Sequence, residues 1–248
     1  MRETRSIMGM PVEIEVVGEN VQDALDDAFS YLVLVDERFS TYKAGSEISR
    51  INRGEHAADA ASEEMKEVLA ISTKTKEETD GYFDIHRPDG SLDPSGIVKG
   101  WAIRNAAARI RAAGHENFFV NAGGDIASSG KNVNGEDWSV GIRNPFNKEE
   151  VVKVIYPRGR GVATSGSYIR GDHIYNPHAP GEKITDVVSL TVIGPDVLEA
   201  DRFATAAFAM GKRGINFIGR LPGFDAYQIA PDGTATMTKG FPRYTRPT

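Results

Sequence analysis

The run VVSLTVIGPDVLEADRFATAAFAMG, residues 187–211, contains a strand, a helix cap and a helix in immediate succession. Val187 to Ile193 is apolar and rich in branched side chains, the composition of a buried strand. Gly194 and Pro195 break it, and Asp196 follows as a side chain suited to cap a helix. Leu198, Phe203, Ala207 and Met210 then fall on the buried side of that helix, and Gly211 stands where a helix end favours a left-handed residue. The next segment decides the class. Ala226 to Met237, folded about Pro231-Asp232-Gly233, reads as a hairpin and not as another strand–helix crossover.

Toward the N-terminus the same mixture continues. Val12, Ile14 and Val16 alternate with Glu13 and Glu15, which predicts a half-buried strand. Asn20 is the expected cap of a helix whose apolar positions include Ala24, Leu25, Ala28, Tyr31, Leu32 and Val35. A polar segment, Thr41 to Ala61, precedes a helix expected after Ser62, with Glu63 and Glu64 favourably placed in its first turn. Thr79 to Gly100 is a Gly/Asp/Pro-rich stretch of the kind that more often carries function than idle loop. A helix is predicted from about Trp101 to Ala113, ended by Gly114. Phe118 to Val120 is a short buried strand running into the tight turn Asn121-Ala122-Gly123-Gly124-Asp125. Trp138–Ile142 and Val151–Ile155 are further strand-like runs. Strands and helices mix without strict alternation. The expected class is therefore α+β, a mixed sheet in one large domain over residues 1–248, built as two closely packed lobes.

The chain of 248 residues is long enough to bury a core without staples. A formal net charge of −6 argues against a broad basic surface for nucleic acid. The absence of cysteine excludes disulfides, thiolate metal sites and cysteine nucleophiles. The first residues lack the apolar core of a signal peptide, and no run approaches the roughly 20 apolar residues needed for a membrane span. The expectation is a cytoplasmic location for the chain as given, or export if it is a trimmed form of a longer protein.

Asp201 and Thr205 lie four apart on the predicted helix and share one face. A carboxylate and a hydroxyl so placed can hold a hard cation such as Mg²⁺. The alternative is a solvent-facing Asp and a Thr bonded back to its own helix. The neighbours Phe203, Ala204, Ala206, Ala207 and Phe208 suggest a buried helix, where a carboxylate needs a partner. Asp93 to Gly100 places glycines and Lys99 at an expected helix start, an arrangement suited to an anion or simply a loop, and it is not a Walker A sequence. Gly123 and Gly124 permit close approach of either a ligand or a neighbouring strand. His173 is a candidate base or an ordinary hydrogen-bonded side chain. A zinc site from His173, His178 and Asp172 lacks helical spacing. No G-x-S-x-G elbow surrounds Thr164-Ser165-Gly166-Ser167, and no G-x-G-x-x-G is present. Tyr42, Tyr82, Phe83 and Trp101 are able to stack on a flat ring or to pack in the core.

The order of these motifs is more specific than any one of them. Met8-Gly9-x-Pro11, Phe39-Ser40-Thr41-Tyr42, Ser46 to Asn52 and Thr79-Asp80-Gly81-Tyr82-Phe83-Asp84 come first. Asp93 to Gly100, Asn121 to Asp125, Gly141 to Pro145, Ala163 to Gly166, His173-Ile174-x-Asn176-Pro177 and Ala200-Asp201-x-x-Ala204-Thr205-Ala206 follow. In that register the chain resembles the ApbE family of FAD:protein FMN transferases from Met8 to about Gly211. The resemblance implies an ApbE-like fold and Mg²⁺-dependent transfer of FMN from FAD to a Thr or Ser hydroxyl of a partner protein. The product is a phosphoester, and AMP is released. It implies magnesium ligands at Asp201, Thr205 and the Gly96 carbonyl, a catalytic His173, and FAD-lining positions at Met8, Tyr42, Tyr82, Phe83, Asp84, Asp93, Lys99 and Ile174. The implied partners are FAD and an acceptor protein with a Ser/Thr flavinylation motif. A Mg²⁺-dependent FAD pyrophosphatase giving FMN and AMP would use the same residues, whereas a non-catalytic FAD-binding protein would need neither metal nor base. Two departures from the family pattern occur. Asn176 stands where many members have Asp, and His178-Ala179-Pro180-Gly181 replaces the usual Arg-Thr-Gly.

Overall fold

The structure is a computed structural model and describes residues 1–167 and 174–246. Strands β1 (Arg2–Ile7) and β2 (Met10–Val16) form a hairpin through Met8 and Gly9, both at positive φ. β3 (Phe118–Ala122) and β4 (Asp125–Ser129) form a second hairpin through Gly123 and Gly124, also at positive φ, as the glycine pair requires. β5 (Val140–Asn144) and β6 (Asn147–Ile155) pair only with each other. β7 (Gly161–Gly166), β8 (Ser189–Gly194), β9 (Asp225–Ile229) and β10 (Ala235–Met237) complete an eight-stranded sheet ordered β1-β2-β3-β4-β7-β8-β9-β10. The α+β class holds. The sheet expected to be mixed is antiparallel at every pairing between these strands, because neighbours in it run back and forth and need no parallel crossover.

The helices occupy two long connections. α1 (Gln22–Phe39), α2 (Glu47–Asn52), α3 (Glu63–Glu78) and α4 (Ser95–Ala112) lie between β2 and β3, and α5 (Val197–Ala209) with α6 (Gly214–Ile218) lies between β8 and β9. Three sequence expectations change. Asn20 is not a cap: it sits at φ 54°, and Val21 precedes the helix without a side-chain cap bond. The polar segment contains α2, capped by Ser46 Oγ, which accepts from Ser49 N at 3.2 Å. Helix α4 begins at Ser95, six residues before Trp101, so Lys99 lies inside the helix and not at its junction with the loop.

Alternate β3 residues serve opposite faces of the sheet. Phe118 and Val120 join Ile14, Phe29 and Trp101 under α1 and α4. Phe119 joins Ile126, Val140, Ile155, Phe241 and Tyr244 on the other side, where the β5–β6 hairpin packs. A third cluster sets Phe203, Ala204 and Phe208 of α5 against Ala163, Val192 and Ala226. Helices α4 and α5 meet very closely. A Cβ at Gly100 would lie 2.8 Å from Asp201 Cβ and 2.9 Å from Leu198 Cα. That contact brings Asp201 beside α4. No helix among the described residues is long and apolar enough to cross a membrane.

Candidate active site

Helix α5 starts as its sequence dictates: Asp196 Oδ1 accepts from Glu199 N at 3.0 Å. Its alanines and the Gly100 contact let α4 approach until the Gly100 N–H donates to Asp201 Oδ2 at 2.9 Å. Asp201 is 3% exposed. Lys99, one residue earlier on α4, places Nζ 2.6 Å from Asp125 Oδ2 and 3.5 Å from Asp201 Oδ1. Asp125 opens β4 and is fully buried, and its Oδ1 accepts from Thr164 N of β7 at 3.1 Å. The Thr164 and Thr191 hydroxyls are 2.9 Å apart, which steadies the β7–β8 side.

Two carboxylates here face one ammonium among the described residues. Burial pushes the Asp201 carboxyl up to about 8; Lys99 opposes this, and the charge and hydrogen bonding of Asp125 add to it. Thr205, one turn along α5, lies under the first turn of α4: a Cβ at Gly96 would come within 3.4 Å of Thr205 Cγ2 and 2.9 Å of Phe83 Cε2. The Asp201 carboxyl, the Thr205 hydroxyl and the Gly96 carbonyl are oxygen donors on residues that line the same cleft. That chemistry fits a hard divalent cation. No group of three or more His, Asp or Glu side chains suited to a metal occurs among the described residues, so a metal here would rest on this mixed set.

The cleft above this corner opens to solvent. Tyr82, Phe83, Asp84, Asp93, Gly96, Lys99, Ile174, Asp201 and Thr205 all line it. Burial works against the charge on Asp84, but Lys76 Nζ at 2.6 Å and the His86 backbone and ring hold its carboxyl below the ordinary range. Asp93 forms an ion pair with Arg87 and accepts from Ser95 N at 3.2 Å, which ties the loop to the start of α4. Tyr82 Oη accepts from Arg213 at 2.6 Å. The ring of His178 packs edge-on to Tyr82, with Nε2 2.8 Å from Asp80 O, so His178 braces a wall and offers no zinc cluster with described partners.

Two expected lining residues lie elsewhere. Met8 packs half-buried on the first core cluster at the β1–β2 turn, and Tyr42 is 96% exposed. Neither lines the cleft. His173 and Asp172 fall outside the described residues. The structure adds residues that sequence reasoning did not single out. Asp125, Thr164 and Ser165 stand in motifs that carry the family resemblance but had no role assigned from the sequence, and Arg87 and Tyr175 carried no signal.

A sequence model of the ApbE family matches residues 8–87 and 85–228. The chain belongs to the ApbE family. Among curated relatives it is 32% identical over 167 residues to the FAD:protein FMN transferase of Klebsiella pneumoniae, covering 63% of this chain and 47% of that protein. It is 30% identical over 172 residues to the enzyme of the same name from Escherichia coli, covering 66% and 49%. The chain thus spans about half the length of the curated relatives it matches. The fold is that of solved ApbE proteins. The flavin transferase ApbE from Vibrio cholerae superposes with a TM-score of 0.87 at 23% identity over 98% of both chains. The ApbE protein from Thermotoga maritima gives 0.88 at 21% identity over 100% of this chain and 99% of its own.

Proposed function

We propose that this chain transfers the FMN half of FAD to a threonine or serine hydroxyl of a partner protein. The observation that carries the reading is the corner formed by Lys99, Asp125 and Asp201, two buried carboxyl groups and one ammonium, with Lys99 and Asp201 lining an open cleft. Family membership and the names of its relatives supply the substrate class. In this reading Asp201, Thr205 and the Gly96 carbonyl would hold Mg²⁺. When bound, the ion supplies charge neutralisation to the pyrophosphate and to the departing AMP. Lys99 presents its ammonium to the same phosphates, while Tyr82 and Phe83 offer ring surface to a flat ligand. The partner hydroxyl attacks the FMN phosphorus, the bond to the AMP oxygen breaks, and the hydroxyl proton passes to His173 as general base. The products are a phosphoester-linked flavoprotein and AMP. Catalysis of this kind depends mainly on positioning and charge stabilisation.

The test is incubation of the protein with FAD and Mg²⁺, with and without a threonine-bearing acceptor domain, followed by mass spectrometry and an AMP assay. One FMN gained by the acceptor, AMP released and both blocked by EDTA are the expected results. AMP and free FMN without labelling would make the protein a pyrophosphatase, and intact bound FAD would make it a carrier. Asp201→Ala is expected to abolish transfer while leaving the circular dichroism spectrum unchanged. His173→Ala should keep FAD binding and slow transfer at least roughly 10²-fold, the usual scale for a lost general base.

A further inference from the structure

We propose that Asp125 is a positioning residue that aims the Lys99 ammonium into the cleft and keeps it from collapsing onto Asp201. The proposal deepens the transferase reading and rests on it for its kinetic part. Asp125 does not line the cleft, so it cannot touch a substrate there. It is 0% exposed, and a buried carboxylate is retained only where its charge is matched. Its two oxygens have divided tasks. Oδ1 is fixed by the Thr164 N–H across the β4–β7 pairing, and this leaves Oδ2 facing Lys99 Nζ at 2.6 Å.

A lysine side chain has four rotatable bonds and loses up to ~2 kcal/mol of rotamer freedom when held. Lys99 is held: its side chain is 16% exposed, and its ammonium lies 2.6 Å from the fully buried Asp125 carboxylate and 3.5 Å from Asp201. At 2.6 Å the Coulomb pull of Asp125 on the ammonium exceeds that of Asp201 at 3.5 Å. With Asp125 neutral, the ammonium would close on Asp201, occupying its carboxylate and drawing positive charge away from the phosphates.

The variant is Asp125→Asn, which keeps an oxygen for the Thr164 N–H and removes the charge. Asp125→Ser is the second variant should the first fail to fold, with circular dichroism as the check. A crystal structure of the variant is expected to show Lys99 Nζ nearer Asp201 than 3.5 Å. An unmoved ammonium overturns the proposal whatever the protein catalyses. In steady-state transfer, kcat is expected to fall at least roughly tenfold with KM for FAD changed less than roughly threefold, the pattern of an interaction made in the transition state. In a Lys99→Met background the same substitution should cost less than roughly twofold, because residues acting through one another are not additive. A kcat loss that persists undiminished in that background, or a variant with wild-type kcat, overturns it. If the wild-type protein transfers no FMN, the transferase reading fails, and the crystal structure alone decides the role of Asp125.

Discussion

Asp201 is the residue on which most of the site turns, and its environment makes a prediction about pH. Without a bound cation, burial pushes its carboxyl up to about 8, whereas an unfolded aspartate titrates near ~3.9. Between those values the folded protein holds a proton that the unfolded chain has released, so stability falls as pH rises through the window and levels off above it. In EDTA, the urea midpoint of the wild-type protein is expected to decline from pH 5 to pH 8 more steeply than that of Asp201→Asn. Parallel curves would mean that Asp201 carries no such strain. Gly100 is the companion position. A methyl group there would meet Asp201 Cβ at 2.8 Å and the Leu198 Cα at 2.9 Å, so Gly100→Ala should destabilise by about 1–3 kcal/mol through overpacking, measured by urea denaturation. The Asp201–Thr205 pair is legible in the sequence because its spacing is local. The partners of Asp201 are not, since Gly100 lies 101 residues away and no spacing rule reaches that far.

Among the elements, α5 is legible from end to end. Asp196 caps it, the apolar spacing marks its buried side, and Gly211 at φ 63° ends it. Replacing Asp196 by Ala should cost about 1 kcal/mol of unfolding free energy, the usual value for a lost cap. A loss under a few tenths would show that packing alone holds that turn. The start of α4 is hidden for a physical reason. Pro94, Gly96 and Gly100 all score poorly for a helix, and Pro94 at the cap position has no side chain able to cap the first turn. A side chain at Gly96 would meet Phe83 at 2.9 Å and one at Gly100 would meet Asp201 at 2.8 Å, so tertiary contact overrides local preference. Strand β1 is equally hard to read. As an edge strand it presents charges, with Arg2 on Glu15 at 2.6 Å, and so shows no apolar alternation.

At the scale of the whole molecule, the last described residues close the core. Phe241 and Tyr244 are buried under the β5–β6 side of the sheet, Tyr156 N donates to Tyr244 O at 2.8 Å, and Arg243 pairs with Asp225 at 2.5 Å. Phe241→Ala should lower stability by about 3–5 kcal/mol, read as a lower urea midpoint. A shift too small to resolve would mean that the second cluster repacks without it. The order of short motifs along the chain reveals the family although each motif is weak alone, whereas the all-antiparallel pairing depends on contacts between distant segments. The same wide spacing governs when the site comes into being. A ribosome delivers Lys99 and Asp125 long before Asp201, so the residues of the corner emerge in two instalments. Lys99 and Asp125 by themselves make an electrically neutral pair. The second carboxyl group joins them only with α5, so the corner cannot be complete until both long helical connections have been made.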